Sequence, residues 1–283
     1  MTLGLALIVR DEEATLPGLL ASIEGAFDQV ALLDTGSTDR TREVFVKWAE
    51  QQRLDYLLDT YPWHDDFAAA RNAADALLTT EWCCWADADD TIRGAGNLRR
   101  IAAAAPPEVA GLSFAYATHG GAFPVTRLTR RGARTWEGRV HETPTVTGPC
   151  PTVPPALVHW VHHSIAGAKP RDLRIARSWA RDEPTNPRAV QTAAQAEIDQ
   201  GDIARGIELY RAYLALPAVR QRLDARQHAH AAYALDELQS WAADWPGPAD
   251  TAAHSWSDEE CARATGLMQR IAAYPPASWL TAQ

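Results

Sequence analysis

The 283-residue chain is poor in lysine. Lys47 and Lys169 are the only two among 27 basic residues, and there are just two methionines. The arginine excess is read as a coding bias rather than as selection for phosphate binding. The four cysteines, Cys83, Cys84, Cys150 and Cys261, show no metal-ligand spacing. Adjacent Cys83 and Cys84 would point to opposite faces of a strand. Reduced thiols in a cytoplasmic protein are the simplest expectation. No apolar run reaches about 18 residues, so no membrane span is expected. Met1–Arg10 lacks the basic start and small-residue cleavage site of a secretion signal and reads as a buried strand. Bases are outnumbered 27 to 36, a formal charge of −9. That disfavours binding along nucleic acid by bulk charge, while a local basic face stays open. Most of the excess lies in residues 1–165, with 21 acids and 14 bases against 15 and 13 in the remainder. A hydrophobic content of 46% and a charged content of 22% exclude disorder and fibrous repeats.

Residues 3–9 form a continuous apolar run, as a strand buried on both faces requires. A helical pattern follows through Leu16, Leu19, Leu20 and Ile23, with Pro17 in its first turn. Val30–Leu33 is a second strand. A helix is expected over 41–52, a third strand over 54–58, a helix over 67–79 and a short strand over 82–86. This alternation predicts an α/β domain with a mostly parallel, Rossmann-like sheet. Between Gly111 and His163 the pattern changes to strand-like pieces at 112–116, 125–128 and 157–161, set among Gly and Pro. From Lys169 the chain is Ala-rich and helical. Val190, Ala194, Glu197, Gly201, Gly206, Tyr210 and Pro217 follow the spacing of one tetratricopeptide-like helix pair. Further helices are expected over 223–243 and 257–273, with a Pro/Gly break at 245–249. The expected division is a domain at 1–165 and an all-α helical domain at 166–283.

In open α/β sheets, ligands bind beyond the carboxyl ends of strands. Three acidic clusters fall at such ends: Asp11–Glu13, Asp34–Asp39 and Asp87–Asp90. Crowded carboxylates need a compensating cation. Hard oxygen ligands suit Mg²⁺ or Mn²⁺, which usually also bind substrate phosphates. The residues alone thus point to a metal-dependent site for a phosphorylated ligand.

Five segments in order carry a resemblance: Leu7–Glu13, Asp34–Thr41, Asp66–Asn72, Trp85–Asp90 and Trp136–Glu142. Together they resemble family 2 glycosyltransferases of the GT-A fold, in the branch with a C-terminal tetratricopeptide-like extension. The resemblance implies a metal-dependent, inverting glycosyltransferase that moves a sugar from a nucleotide-sugar, with UDP-sugar the expected donor, to a hydroxyl acceptor. Asp87 and Asp89 correspond to the Asp-x-Asp pair that holds Mn²⁺ or Mg²⁺ on the donor diphosphate. Asp34 corresponds to the acid at the base or ribose, and Gly36 and Ser37 allow close backbone approach. Val9, Asp11 and Glu12 match the first nucleotide loop, although the family usually has Asn where Asp11 stands. Arg71, Asn72 and Ala88 complete the expected donor contacts. Family members often carry Glu at the position of Asp90.

Inversion requires a base for the attacking hydroxyl. Glu142 is the expected base, with His141 as metal ligand or second candidate; bracing of the loop is the plainer alternative for both. Among His159, His162 and His163, His163 is the favoured metal ligand, and packing is the alternative for all three. Trp136 and Arg139 are candidate acceptor contacts, and Trp63 is a further candidate for ligand contact, because indole faces stack on sugars and bases. Two basic stretches, Arg127–Arg139 and Lys169–Arg181, are read as solvated faces, with an anionic-acceptor surface as the functional alternative. The acceptor class stays open among glycan, lipid-linked, protein and modified nucleic acid, and the helical domain is expected to offer a surface for protein contacts. The competing functions are sugar transfer to modified DNA bases, nucleotidyl transfer, and a non-catalytic helical adaptor. Nucleotidyl transfer is disfavoured because Asp11–Glu13 replaces the basic Gly-rich loop it needs.

Overall fold

The computed structural model describes residues 1–163 and 170–222, with five positions between 232 and 240. They form two compact units. The first holds residues 1–137 and 142–163, and the second holds 138–141 and those from 170 onward. Lys169, Cys261 and the helices expected over 223–243 and 257–273 lie outside the described residues, five positions of the former helix excepted.

The first unit alternates strands and helices: β1 (Leu3–Val9), α1 (Leu16–Ser22), β2 (Gln29–Asp34), α2 (Thr41–Gln52), β3 (Asp55–Thr60), α3 (Phe67–Leu77) and β4 (Trp82–Trp85). The chain continues through β5 (Asp90–Arg93), α4 (Leu98–Ala104), β6 (Gly111–Thr118), β7 (Gly121–Arg130), β8 (Arg134–Glu137), β9 (Thr143–Val146) and β10 (His159–His162). The main sheet has the order β3-β2-β1-β4-β7-β6-β10-β5. Strands β3, β2, β1 and β4 run parallel, and so do β6 and β10. β7 is antiparallel to both β4 and β6. This is the mostly parallel, Rossmann-like sheet that the alternation of elements predicts. β8 and β9 make a separate two-stranded ribbon.

The apolar runs of β1 and β2 are buried on both faces. Leu3, Leu5, Leu7, Val30 and Leu32 join one core, while Ala6, Ala31 and Leu33 join another across the sheet. Cys84 packs in the first and Cys83 in the second, as their adjacency dictates. Three elements were not legible in the sequence: β5, α4 and the β8–β9 ribbon are too short for a periodic signal.

The second unit contains α5 (Pro170–Asp182), α6 (Pro187–Asp199), α7 (Ile203–Ala215) and α8 (Pro217–Arg220). Asn186 caps α6 and Asp202 caps α7 through side-chain oxygens. Gly201, at φ +89°, makes the turn between them. A Cβ on Gly206 would lie 3.0 Å from the Ala194 carbonyl oxygen, so α6 and α7 approach too closely there for a side chain. Buried Glu197 accepts two hydrogen bonds of 2.6 Å from Arg177. Among the described residues, no helix is long and apolar enough to cross a membrane.

Candidate active site

β1, β2 and β4 all end at one edge of the sheet, and each is followed by an acidic loop. The first two loops are tied to each other. Asp11, at φ +55°, accepts from the Thr38 amide at 2.7 Å, and its own amide donates to Ser37 Oγ at 3.0 Å. The Glu12 amide donates to Thr41 Oγ1 at 2.7 Å, and the Glu13 amide to Asp39 Oδ2 at 3.0 Å. Asp34 is buried, and its Oδ1 accepts from the amides of Gly36 and Ser37 at 3.1 and 2.8 Å. Gly36 sits at φ +111° with open space where a Cβ would be, so the loop surface is bare backbone. The Val9 carbonyl accepts from the Thr35 amide at 2.9 Å, which fixes the end of β1 to this loop.

The third loop carries Asp87, Asp89 and Asp90. Asp90 is fully buried and is the hub. Its Oδ2 accepts from the Asp87 amide at 3.1 Å and lies 3.3 Å from Arg127 Nη1. Its Oδ1 accepts from the Tyr116 hydroxyl at 3.3 Å and lies 3.0 Å from His162 Nδ1. Asp89 Oδ1 is 3.5 Å from the same His162 nitrogen. Donor atoms of Asp89, Asp90 and His162 all fall within 4.8 Å of one another. Two carboxylates and one imidazole are a donor set that suits Mn²⁺ or Mg²⁺, with waters or phosphate oxygens completing the shell.

The electrostatics follow from these neighbours. Burial pushes the Asp89 carboxyl up, as do the carboxylates of Asp87 and Asp90, and His162 opposes them without prevailing. For Asp87, burial also acts upward, but the Arg71 and Arg127 guanidiniums outweigh it and hold the group below the usual carboxylate range. His162 is raised above an ordinary imidazole, chiefly by its hydrogen bond to Asp90 and, against burial, by the charges of Asp89, Asp90 and Asp87.

One arginine links this centre to the expected base. Arg71, on α3, donates from Nη2 to Asp87 Oδ1 at 2.6 Å and from Nε to Glu142 Oε1 at 2.5 Å. Its guanidinium carbon lies 4.7 Å from the Trp85 ring centroid and 4.8 Å from that of Trp136, and the two indoles meet edge to face at 4.7 Å. Burial works against the charge on Arg71, and the two carboxylates more than restore it.

The structure thus brings Arg71, Asp87, Asp89 and Glu142 together. It treats other expected residues differently. His163 directs its ring nitrogen to Thr91 Oγ1 at 2.9 Å, and the imidazole facing the acids is that of His162. The reason is register: His162 pairs with Asp90 across β10 and β5, and the next residue turns the other way. His159 Nδ1 contacts the Pro155 carbonyl. Asn72 spends both amide atoms on Trp136, donating to its carbonyl at 3.0 Å and accepting from its amide at 2.9 Å. Trp136 is itself buried, and its Nε1 donates to Asp75 at 2.8 Å. Ala88 is buried. Trp63 is half-buried, edge-on to Phe67 with its Nε1 on Asp65. His141 and Arg139 group with the second unit; there Arg139 pairs with Asp182 and Glu183, and the His141 carbonyl accepts from Arg188.

The basic stretch from 127 to 139 is not one solvated face. Arg127 and Arg134 are buried, and Arg134 is held bidentately by Asp75. Arg127, expected on a solvated face, instead has its guanidinium carbon 3.6 Å from the Trp85 ring centroid and 4.3 Å from that of Tyr116, beside Asp90. Asp90, Tyr116 and His162 complete the centre. The only local signal for Asp90 was its place beside the Asp-x-Asp pair.

The glycosyl transferase family 2 model matches residues 5–150. A TPR repeat-containing protein of Synechococcus elongatus is 38% identical over 128 residues, which is 45% of this chain and 30% of that protein. The chain therefore spans under a third of the length of the curated relative it matches. Among solved structures, S. aureus TarS 1–349 in complex with UDP-GlcNAc is similar at a TM-score of 0.49 and 12% identity, over 84% of this chain and 88% of that one. The mannosyltransferase PcManGT from Pyrobaculum calidifontis, in complex with GDP-Man and Mn²⁺, is similar at a TM-score of 0.49 and 18% identity, over 99% and 83%. With over half of its length matched by the family model, the chain belongs to family 2 of the glycosyltransferases.

Proposed function

We propose that the chain transfers a sugar from a nucleotide-sugar, a UDP-sugar first among donors, to a hydroxyl acceptor with inversion at the anomeric carbon. Residues 1–165 are assigned the catalysis and residues 166–283 a helical extension with a surface for partners. The observation that supports this best is the Arg71 bridge, which joins the acid centre at the end of β4 to Glu142. Asp89, Asp90 and His162 would hold Mn²⁺ or Mg²⁺, with Asp87 beside them. A bound ion there supplies charge withdrawal from the departing diphosphate. The joined loops at Asp11–Glu13 and Asp34–Thr41 receive the nucleoside. In a single displacement the acceptor oxygen bonds to the anomeric carbon as the bond to the diphosphate breaks. Glu142 takes the hydroxyl proton. Arg71 engages Glu142 Oε1, which orients the carboxylate and leaves Oε2 to accept that proton.

The test is a panel of UDP-, GDP- and ADP-sugars with Mn²⁺, read by mass spectrometry for hydrolysis or transfer. One donor should turn over. Asp89→Asn should abolish turnover, and Glu142→Gln should abolish transfer while calorimetry still detects nucleoside diphosphate binding. Full activity in EDTA, or in the Asp87→Asn/Asp89→Asn double variant, would overturn the metal role.

A further inference from the structure

The β6–β7 hairpin carries an exposed aromatic at the catalytic edge of the sheet. β7 runs antiparallel to β4 and pairs with it only through Leu128–Arg130. Its first six residues therefore continue past the carboxyl end of β4, by roughly 20 Å at strand rise. That is the end from which the Asp87–Asp90 loop departs. The projecting hairpin forms a wall beside the acid centre. On it, Phe123 pairs with Tyr116 across the hairpin, with ring centroids 5.7 Å apart and edge to face. Tyr116 in turn lies 5.5 Å from the His162 ring and donates to Asp90. Phe123 is 51% exposed. The other exposed large apolar side chains among the described residues, Met1 and Leu157, precede β1 and β10, at the opposite ends of those parallel strands.

Single exposed apolar residues are ordinary on protein surfaces. This one differs in being backed by an aromatic that itself touches the reaction centre. Pro124, next to it, removes a backbone donor from this edge, which disfavours an added strand as the occupant. The loops expected to hold the nucleoside follow β1 and β2, on the far side of β4 from β7. The β7 side therefore faces the two sugars, and Phe123, exposed near the hairpin tip rather than at the acids, suits that of the acceptor. A pyranose offers one face of C–H groups that packs on an aromatic ring, while its hydroxyls stay hydrated.

We propose that Phe123, backed by Tyr116, is the wall on which the ring of a saccharide acceptor packs. This deepens the glycosyl-transfer function above and rests on it. The substrate class proposed for this wall is a pyranoside.

The experiment uses the full chain with Mn²⁺ and UDP, and methyl pyranosides of glucose, galactose, mannose and N-acetylglucosamine as probes. Saturation-transfer NMR reads pyranoside binding, and calorimetry reads UDP. The wild type should saturate the ring protons of at least one probe. Phe123→Ala and Phe123→Leu should each weaken that probe about tenfold, Phe123→Trp should retain it, and UDP affinity should stay within about twofold throughout. Leu preserves apolar area without the ring, so its failure separates stacking from simple burial. UDP binding with no pyranoside signal overturns the wall alone, as does a signal unchanged in Phe123→Ala or an equal loss of UDP. Absence of UDP binding by the wild type overturns the donor assignment, and the wall with it.

Discussion

Replacing Arg127 with Met tests whether the buried guanidinium is the counter-ion of the acid centre. The side chain is 1% exposed, and its Nη1 lies 3.3 Å from Asp90 Oδ2, whose own side chain has no exposure. Neither Nε nor Nη1 of Arg127 makes a hydrogen bond among the described residues, so its attraction to Asp90 is ionic without a directed bond. Removing one partner of a buried pair costs about 3–5 kcal/mol, because the remaining charge is stranded. Losing the contacts over Trp85 and Tyr116 adds about 1 kcal/mol. Against this, two donors lacking acceptors disappear, which returns about 1 kcal/mol each. The net destabilisation is about 2–4 kcal/mol, or a fall of about 5–15 °C in Tm for a unit of this size. Differential scanning calorimetry of the metal-free protein reads it. Asp90→Asn in the Arg127→Met background should restore part of the loss, with a coupling of about 2 kcal/mol in the double-mutant cycle. A Tm within about 2 °C of wild type, or strict additivity with Asp90→Asn, would refute the counter-ion role.

Three further outcomes are expected. His162 is raised by its hydrogen bond to Asp90, so its contribution is fully present below the ordinary imidazole value, about 6.5, and is lost as pH rises through the folded value; chelated protein should lose stability over that rise, and His162→Gln should flatten the slope in thermal melts. Asn72→Ala leaves the Trp136 amide and carbonyl without their partner and should cost about 1–3 kcal/mol in urea denaturation, while Asn72→Asp should keep only the accepting half. Gly206→Ala forces α7 away from the Ala194 carbonyl and should lower the stability of the helical unit by about 1–3 kcal/mol, seen by far-UV circular dichroism.

What could be read from the sequence was what local order determines. The runs at 3–9 and 30–33 required strands buried on both faces, and the acids that follow them fell at strand ends as expected. The tetratricopeptide-like spacing of Gly201 and Gly206 matched a turn and a close helix contact. What could not be read depends on pairing between distant segments. His162 rather than His163 faces the acids because β10 pairs with β5, some seventy residues earlier, and no local pattern sets that register. Arg127 looked like one of several surface arginines, and it is buried because β7 lies between β4 and β6. Trp136, expected at the acceptor, is held inside by Asn72 and Asp75, whose positions on α3 gave no such hint.

The cross-linked loops after β1 and β2 have a kinetic consequence. Asp11, Glu12 and Glu13 anchor their segment to Ser37, Thr38, Asp39 and Thr41, so both loops are set when the sheet forms. On the proposed donor assignment, a nucleoside arriving there meets a preorganised cradle, and no slow loop-ordering step stands between encounter and capture. Association should then run at a rate set by diffusion and orientation. Cutting the ties, as in Asp11→Ala with Ser37→Ala, should slow the on-rate, and stopped-flow fluorescence with a labelled nucleotide can resolve that change from one in the off-rate.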